Sequence, residues 1–133
     1  MLNKILKLLS SAVDIDLPIL AIGPGLETLN IVFGGTSAVA VEGHESKVKD
    51  DLLQASKHRI YIAPGSKLAA ILGSGGVVMV NSHQRLGLHE AQKSSSLLAS
   101  AYSLSDGVIE AVEKIEKNII EFFRRRWIRV YDT

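Results

Sequence analysis

The four histidines of this sequence are the side chains best suited to acid–base or metal chemistry. His83 and His89 are six residues apart, a spacing that does not place them on one face of a helix. His44 and His89 each precede a glutamate directly, and adjacent side chains diverge on a helix. Neither the HExxH nor the HxH spacing of zinc sites occurs. A metal site needs convergent ligands, so the spacing favours surface or hydrogen-bonded histidines and predicts no metal.

Nucleophilic residues are equally scattered. The chain has no cysteine, which removes disulfides, thiolate metal sites and cysteine nucleophiles together. None of the serines sits in a G-x-S-x-G motif. Ser66–Lys67 and the serine run 94–96 match no known nucleophile spacing. We therefore expect a protein that is not an enzyme and binds no cofactor; a hydrolase stays open only if its residues assemble in space.

Two glycine-rich segments have the composition of anion-binding loops. Residues 73–76 (GSGG) could present backbone N–H groups to an anion, but no Gly-Lys-Ser/Thr follows as in a P-loop. Residues 23–25 (GPG) contain a proline, which lacks an N–H group. Turn chemistry favours plain hairpin turns in both cases. The alternative is a small-ligand-binding domain or enzyme that uses these loops and the histidines.

An arginine-rich segment near the C-terminus is the most distinctive local feature. Its five members are Arg124, Arg125, Arg126, Trp127 and Arg129. The purely structural interpretation is a solvated helix end whose cations complement the helix dipole. The functional interpretation is contact with a protein partner, nucleic acid or an anionic membrane. No basic stripe elsewhere extends the patch, which argues against nucleic acid.

Length and composition bound the protein class. The chain has 133 residues, 47% of them hydrophobic, which predicts one domain, 1–133, with a core of its own. The net charge of +1 directs the chain to neither nucleic acid nor acidic partners. No apolar run reaches the roughly 20 residues of a membrane span. Lys4 and Lys7 interrupt the apolar stretch expected of a signal peptide. We expect a cytoplasmic protein.

The first half of the chain predicts a helix, a hairpin and a second helix. Apolar residues repeat at three- and four-residue steps over residues 2–13, which is typical of one helical face. Apolar runs at 17–22 and 26–33 flank the GPG segment and predict a β-hairpin. Residues 46–57 alternate charged and apolar side chains and predict a helix, with a start as early as residue 36.

The second half predicts three strands followed by helices. Residues 59–63, 68–72 and 77–80 are short apolar runs between glycine turns and indicate an antiparallel meander, with a single helical turn as the alternative for 68–72. Helical structure is expected from residue 86. A final helix over 105–129 is expected from the seam of Val108, Val112, Ile115, Ile119 and Phe122. Two Glu–Lys pairs at i,i+4, Glu110–Lys114 and Glu113–Lys117, support it.

The predicted fold class is therefore α/β (α+β). A mainly antiparallel sheet of about five strands is flanked by helices in the order α-ββ-α-βββ-α, with an extra C-terminal helix. Short strands leave sheet edges that need covering or pairing. Homodimerisation through a helix and a sheet edge is one solution.

This element order resembles the Roadblock/dynein light-chain family of small α/β domains. The segment RIYIAPGSKLAAILGSGGVVMVNSHQRLGLHEAQ is similar to that family's meander and last helix, and LPILAIGPGLETLNIVFGG to its first two strands. The resemblance covers residues 1–100 as a Roadblock-like core. The remainder, 103–130, is expected to be an amphipathic helix with a basic tip.

The resemblance implies a non-enzymatic homodimeric interaction module that scaffolds or regulates a small Ras-like GTPase. It carries no catalytic residue over to this chain. The dimer would use the second helix and the strand 59–63, which makes Leu52, Leu53, Ile60 and Ile62 the candidate partner contacts.

Overall fold

The protein is a mixed α/β domain built on one large sheet. The structure, a computed structural model, describes residues 2–22, 25–41, 47–49, 52–54, 56–82, 86–114 and 119–122. Its helices are α1 (Leu2–Asp14), α2 (Gly25–Val32) and α3 (Lys67–Leu72). Its strands are β1 (Ile19–Ile22), β2 (Val39–Ala40), β3 (Lys47–Lys49), β4 (Leu52–Gln54), β5 (Ser56–Ile62), β6 (Gly76–Ser82), β7 (Leu86–Gly87), β8 (Leu98–Ser103), β9 (Ile109–Lys114) and β10 (Ile119–Phe122).

Six strands form the main sheet in the order β1-β10-β9-β8-β5-β6. Every neighbouring pair is antiparallel except β1 and β10, which run parallel. Two short antiparallel pairs, β2-β7 and β3-β4, lie outside this sheet. The predicted class, a mainly antiparallel sheet flanked by helices, is confirmed.

Helix α1 follows the predicted amphipathic pattern and ends at a defined cap. Asp16 adopts a left-handed conformation with φ of 57°. The Asp16 N–H donates to the carbonyl of Val13, and the Leu17 N–H donates to that of Ala12. These two bonds form a Schellman motif, which satisfies carbonyls that a helix end otherwise leaves unpaired. The cap turns the chain directly into β1.

The two faces of the sheet carry separate apolar clusters. On one face Leu26 of α2 packs with residues of the β8–β9 region, including Ile109 and Val112. On the other face Leu68 of α3 packs with core residues of β5, β6, β8 and β9, including Ala111. The sheet is therefore covered on both faces, as expected for a sheet flanked by helices.

Strands β8 and β9 each contain a β-bulge, which changes the face of the sheet, and so the apolar cluster, toward which the following side chains point. Tyr102 pairs with Ile109 whereas Ala101 pairs with Ala111, so Glu110 is an extra residue in β9. Ala99 pairs with Val112, so Ser100 is the extra residue in β8. An inserted residue reverses the side to which the following side chains point. Both inserted residues are buried, which places polar groups inside the sheet.

Asn30 of α2 ties a distant segment of chain to the helix. Its Nδ2 donates to the carbonyls of Thr36 and Gln92, at 3.0 and 2.8 Å, and its Oδ1 accepts the Ser94 N–H at 2.7 Å. Gly35 lies so close that a Cβ there would be 2.3 Å from the Asn30 amide nitrogen. The amide thus replaces secondary-structure hydrogen bonding where the chain leaves α2.

Two predicted elements of the first half are wrong. Residues 26–33, expected to be the second strand of a hairpin, form most of α2. Residues 46–57, expected to be a helix, contain β3, β4 and the start of β5. The predicted strands at 59–63 and 77–80 are confirmed within β5 and β6, and residues 68–72 follow the helical alternative, as α3.

The predicted C-terminal helices are also wrong within the described residues. The region from residue 86 contains β7 and β8, and the proposed seam helix contains β9 and β10. Glu110 and Glu113 are buried on β9 instead of lining an exposed helix. The basic tip, residues 124–129, lies outside the described residues.

Helix length bears on membrane insertion. The longest described helix, α1, has 13 residues. None of the helices in the described part of the chain is long and apolar enough to cross a membrane.

Replacing Asn30 with alanine tests the buried amide. Because the substitution leaves the buried Ser94 N–H without its acceptor, we expect Asn30→Ala to lower the free energy of unfolding by about 2–4 kcal/mol. Asn3→Ala, on the exposed surface of α1, is the matched control and should change it by less than about 0.5 kcal/mol. Urea unfolding followed by circular dichroism measures both; equal losses would contradict the structural role of Asn30.

Candidate functional site

The parallel pairing of β1 with β10 places the carboxyl ends of these two strands side by side. Ile22, the last residue of β1, is paired with Phe122, the last residue of β10. In α/β folds, ligands bind in the crevice at the carboxyl ends of parallel strands. Beyond β1 the chain continues as Gly23 and Pro24, and beyond β10 it continues as Phe123 and the arginines 124–126. Those following residues lie outside the described ranges, but the strand ends that carry them are neighbours.

Helix α2 contributes its amino end to the same region. It begins at Gly25, three residues after the end of β1, and has eight residues. The first turn of a helix carries N–H groups without intrahelical partners and a partial positive charge. Leu26 and Leu29 are fully buried and hold α2 against the sheet. A helix amino end that is fixed in this way favours a ligand that carries an anionic group.

The connection between β1 and α2 has the strand-to-helix order of a nucleophile elbow without a nucleophile. In that motif the nucleophile sits in the sharp turn between a strand and a helix. Here the two connecting residues are Gly23 and Pro24, which have no hydroxyl, thiol or amine side chain. The sequence also has no cysteine. A covalent intermediate at this position would therefore need a nucleophile from elsewhere.

A second polar centre lies at the amino end of α3. The Oε1 atom of Glu113 accepts the Lys67 N–H at 3.0 Å, and its Oε2 atom lies 3.4 Å from the Leu68 nitrogen. Ser66 caps the same helix, because its Oγ accepts the Ala69 N–H. Glu113 is 4% exposed. Its carboxylate is thus used to fix α3 on the sheet, since a negative charge stabilises a helix amino end.

His58 and Glu110 form a buried hydrogen-bonded pair between β5 and β9. The Nε2 atom of His58 lies 2.7 Å from Oε1 of Glu110. The side chains are 12% and 1% exposed. Glu110 is the bulge residue of β9, so the bulge delivers a carboxylate to the face on which His58 lies. This arrangement joins two strands that are not neighbours in the sheet.

The residues predicted to bind a partner lie in three different settings. Ile60 and Ile62 are core residues, 5% and 1% exposed, packed within this chain. Leu52 and Leu53 form part of β4. The rest lie outside the described residues: Arg124, Arg125, Arg126, Trp127 and Arg129. Their role in partner binding stays a prediction.

The predicted ligand residues are also dispersed. His44 and His83 lie outside the described residues, and the backbone of His89 donates to the side chain of Gln92. Gly73, expected in a hairpin turn, is the C-cap of α3 with φ of 92°. In the described part of the chain, no three His, Asp or Glu side chains are grouped to hold a metal ion.

Sequence reasoning missed the buried polar residues His58, Glu110 and Glu113. The two glutamates were interpreted as surface partners of lysines, because their spacing suits a helix. The sequence does carry one signal of a different kind. Residues 108–113 (VIEAVE) set two carboxylates within an apolar run, and a carboxylate in a buried strand requires a hydrogen-bonding partner.

The fold and the chain's matches define a glutamine amidotransferase-like α/β domain. The model of the Peptidase C26 family matches residues 4–122. This match spans most of the sequence and all the helices and strands described above, except the first two residues of α1. The chain belongs to the Peptidase C26 family.

Two individual proteins are similar to this chain. Protein NtpR of Enterococcus hirae is 29% identical over 130 residues, an alignment that covers 90% of this chain and 50% of NtpR. The crystal structure of a putative GMP synthase subunit from Thermoplasma acidophilum superposes with a TM-score of 0.61 at 14% identity, covering 89% of this chain and 52% of that one. The chain therefore spans about half the length of the relatives that it matches.

The family match overturns the functional predictions made from the sequence. The resemblance to the Roadblock/dynein light-chain family is wrong, and so is the GTPase scaffold that it implied. The expectation of a non-enzymatic protein is also wrong, because the family and the structural neighbour are enzyme-related. The alternative of a small-ligand-binding domain or enzyme agrees better with the match. The homodimer stays a prediction.

The Glu113 carboxylate can be tested by an isosteric change. Because an amide presents an NH2 group to one of the two α3 N–H donors, we expect Glu113→Gln to lower the free energy of unfolding by about 1–3 kcal/mol. Glu90→Gln is the control, since the Glu90 side chain is 77% exposed and its carboxylate lies 3.4 Å from Lys93, whose ammonium group also donates to the carbonyls of Ser94 and Leu97; an ion pair with an exposed carboxylate contributes about 0–1 kcal/mol. Thermal unfolding of both variants checks this, and a Glu113 variant as stable as the control would refute the role.

Proposed function

We propose that this chain is a substrate-binding domain of the glutamine amidotransferase type. Its ligand is a small amide that also carries a carboxylate, a class that includes glutamine. The ligand would lie at the carboxyl ends of β1 and β10. The observation that carries the proposal is the pairing of Ile22 with Phe122, because it places the carboxyl ends of β1 and β10 side by side.

The charge of these segments supports an anionic ligand. The arginine run 124–126 begins two residues after the end of β10, and arginine donates in a fork that matches a carboxylate. The amino end of α2 adds backbone N–H groups and a partial positive charge. Both features favour the same half of the ligand, its carboxylate.

The family supports the amide half of the ligand. The chain belongs to Peptidase C26, a glutamine amidotransferase-like family, and its structural neighbour is described as a putative GMP synthase subunit. Because the connection of Gly23 and Pro24 supplies no nucleophile, the role that we assign to it is to hold the substrate. Attack on the amide carbon needs a nucleophile that these two residues do not provide. A cytoplasmic location is part of the same proposal.

Calorimetric titration with L-glutamine tests the proposal. We expect saturable binding that weakens roughly tenfold or more when Arg124, Arg125 and Arg126 are all replaced by alanine, because charge-assisted hydrogen bonds are lost.

The matched control removes the same charge from exposed positions elsewhere. It combines Lys4→Ala, Lys7→Ala and Arg59→Ala, all on the surface of α1 or β5. Its affinity should stay within about twofold of wild type, since the removed charges make no direct contact with the site and are screened by salt. Absence of saturable binding, or equal losses in both triple variants, would count against the proposal.

A cysteine at position 23 tests the geometry of the β1–α2 connection. A thiol at a helix amino end has a lowered pKa and is more reactive. We therefore expect Gly23→Cys to react with iodoacetamide at least about tenfold faster than Leu104→Cys, which places a thiol on an exposed loop residue. Mass spectrometry of the alkylated protein over time gives both rates. Equal rates would indicate that residue 23 does not face the helix end.

A further inference from the structure

The outer edge of the main sheet is formed by β1, and it is unusually apolar. Among the strands that the structure describes, β1 pairs with β10 on one side and has no neighbour on the other. Its Leu20 is 64% exposed. The segment that leads into it carries three more exposed apolar side chains: Leu8, Ile15 and Leu17, at 70%, 68% and 50%. An edge strand with unpaired N–H and C=O groups and apolar side chains is a template for pairing with another strand.

The direction of β1 indicates what kind of strand fits there. The β1–β10 pair is the parallel part of a sheet that is otherwise antiparallel. Parallel strands are covered on both faces and occur in larger α/β sheets. The opposite edge, β6, ends an antiparallel run. We therefore expect that a further strand paired with the free edge of β1 would run parallel to β1.

The length of the relatives indicates which polypeptide would pair with the free edge of β1. This chain covers 50% of NtpR and 52% of the Thermoplasma acidophilum protein. The uncovered half is therefore about as long as this chain. A parallel βαβ unit takes roughly 30 residues or more, so that half has room for several strands with their helices.

We propose that the outer edge of β1, with Leu8, Ile15, Leu17 and Leu20, is the docking surface for the half of the double-length fold that this chain does not match. The occupant is an α/β polypeptide whose edge strand pairs parallel to β1. It buries the exposed leucines and isoleucine together with the free edge. This surface is separate from the proposed ligand site, which lies at the carboxyl ends of the strands.

The experiment supplies that half as a separate polypeptide. The probe is the part of Enterococcus hirae NtpR that this chain does not match, purified, shown to be folded by circular dichroism and mixed with this chain. Light scattering after size exclusion should show a one-to-one complex. Hydrogen exchange at the β1 amides that point away from β10 should slow by roughly tenfold or more in that complex, because those groups become paired.

Two edge variants locate the contact. Leu20→Lys should weaken the complex by roughly tenfold or more, since it exchanges a buried apolar side chain for a charge. Val77→Lys makes the same kind of change at an exposed position of the opposite edge strand, β6, and should leave affinity within about twofold. Circular dichroism checks that both variants stay folded.

Three results would overturn the proposal. One is the absence of a complex at 100-fold excess of probe over about 1 μM chain, a range that covers transient interfaces. The second is a complex lost with Val77→Lys and kept with Leu20→Lys. The third is protection of the β1 amides in the chain alone together with a dimeric mass, which would make a second copy the occupant. Loss of glutamine binding in the calorimetric test does not affect these readouts, so the two proposals fail separately.

Discussion

The parallel pairing of β1 with β10 is the contact that organises this molecule. It joins strands whose paired residues, such as Ile19 and Ile119, are one hundred positions apart in the chain. Through it the region after α1 becomes part of the same sheet as the last described strand. The direction of the pair also decides where the strand ends lie, because parallel strands have their carboxyl ends on the same side of the sheet. Had β10 run antiparallel to β1, the carboxyl ends of the two strands would lie at opposite ends of the pair.

How much of the fold was predictable depended on how each segment is buried. Helix α1 has one solvated face, and its lysines and apolar residues therefore give a clean periodicity. Helix α2 is buried over most of its surface, including Thr28 and Asn30. With polar side chains inside, its apolar residues no longer mark one face, and the segment is indistinguishable from a strand by pattern alone. A strand buried on both faces, such as β9, loses its alternation for the same reason.

The candidate site was predictable in its parts and not in its assembly. The glycine–proline segment and the arginine run are visible in the sequence, but the first was interpreted as a hairpin turn and only the second as a possible contact for an anionic partner. The ends of β1 and β10, which precede these two segments, are neighbours through a strand pairing across one hundred residues, which no local spacing reports. Buried acids such as Glu113 were hidden for a related reason. Their spacing to lysines suits a helix surface, and only the hydrogen bonds to α3 give the carboxylate its place.

The same long-range pairing has a consequence for the order of folding. Contacts between β5 and β6 or between β8 and β9 close short loops, whereas β1 can join the sheet only after most of the chain has been organised. Closing a loop of this length costs conformational entropy before the contact returns any stabilisation. We therefore expect the β1–β10 pair, the parallel pair among the described strands, to form late in folding, after the strands that close short loops.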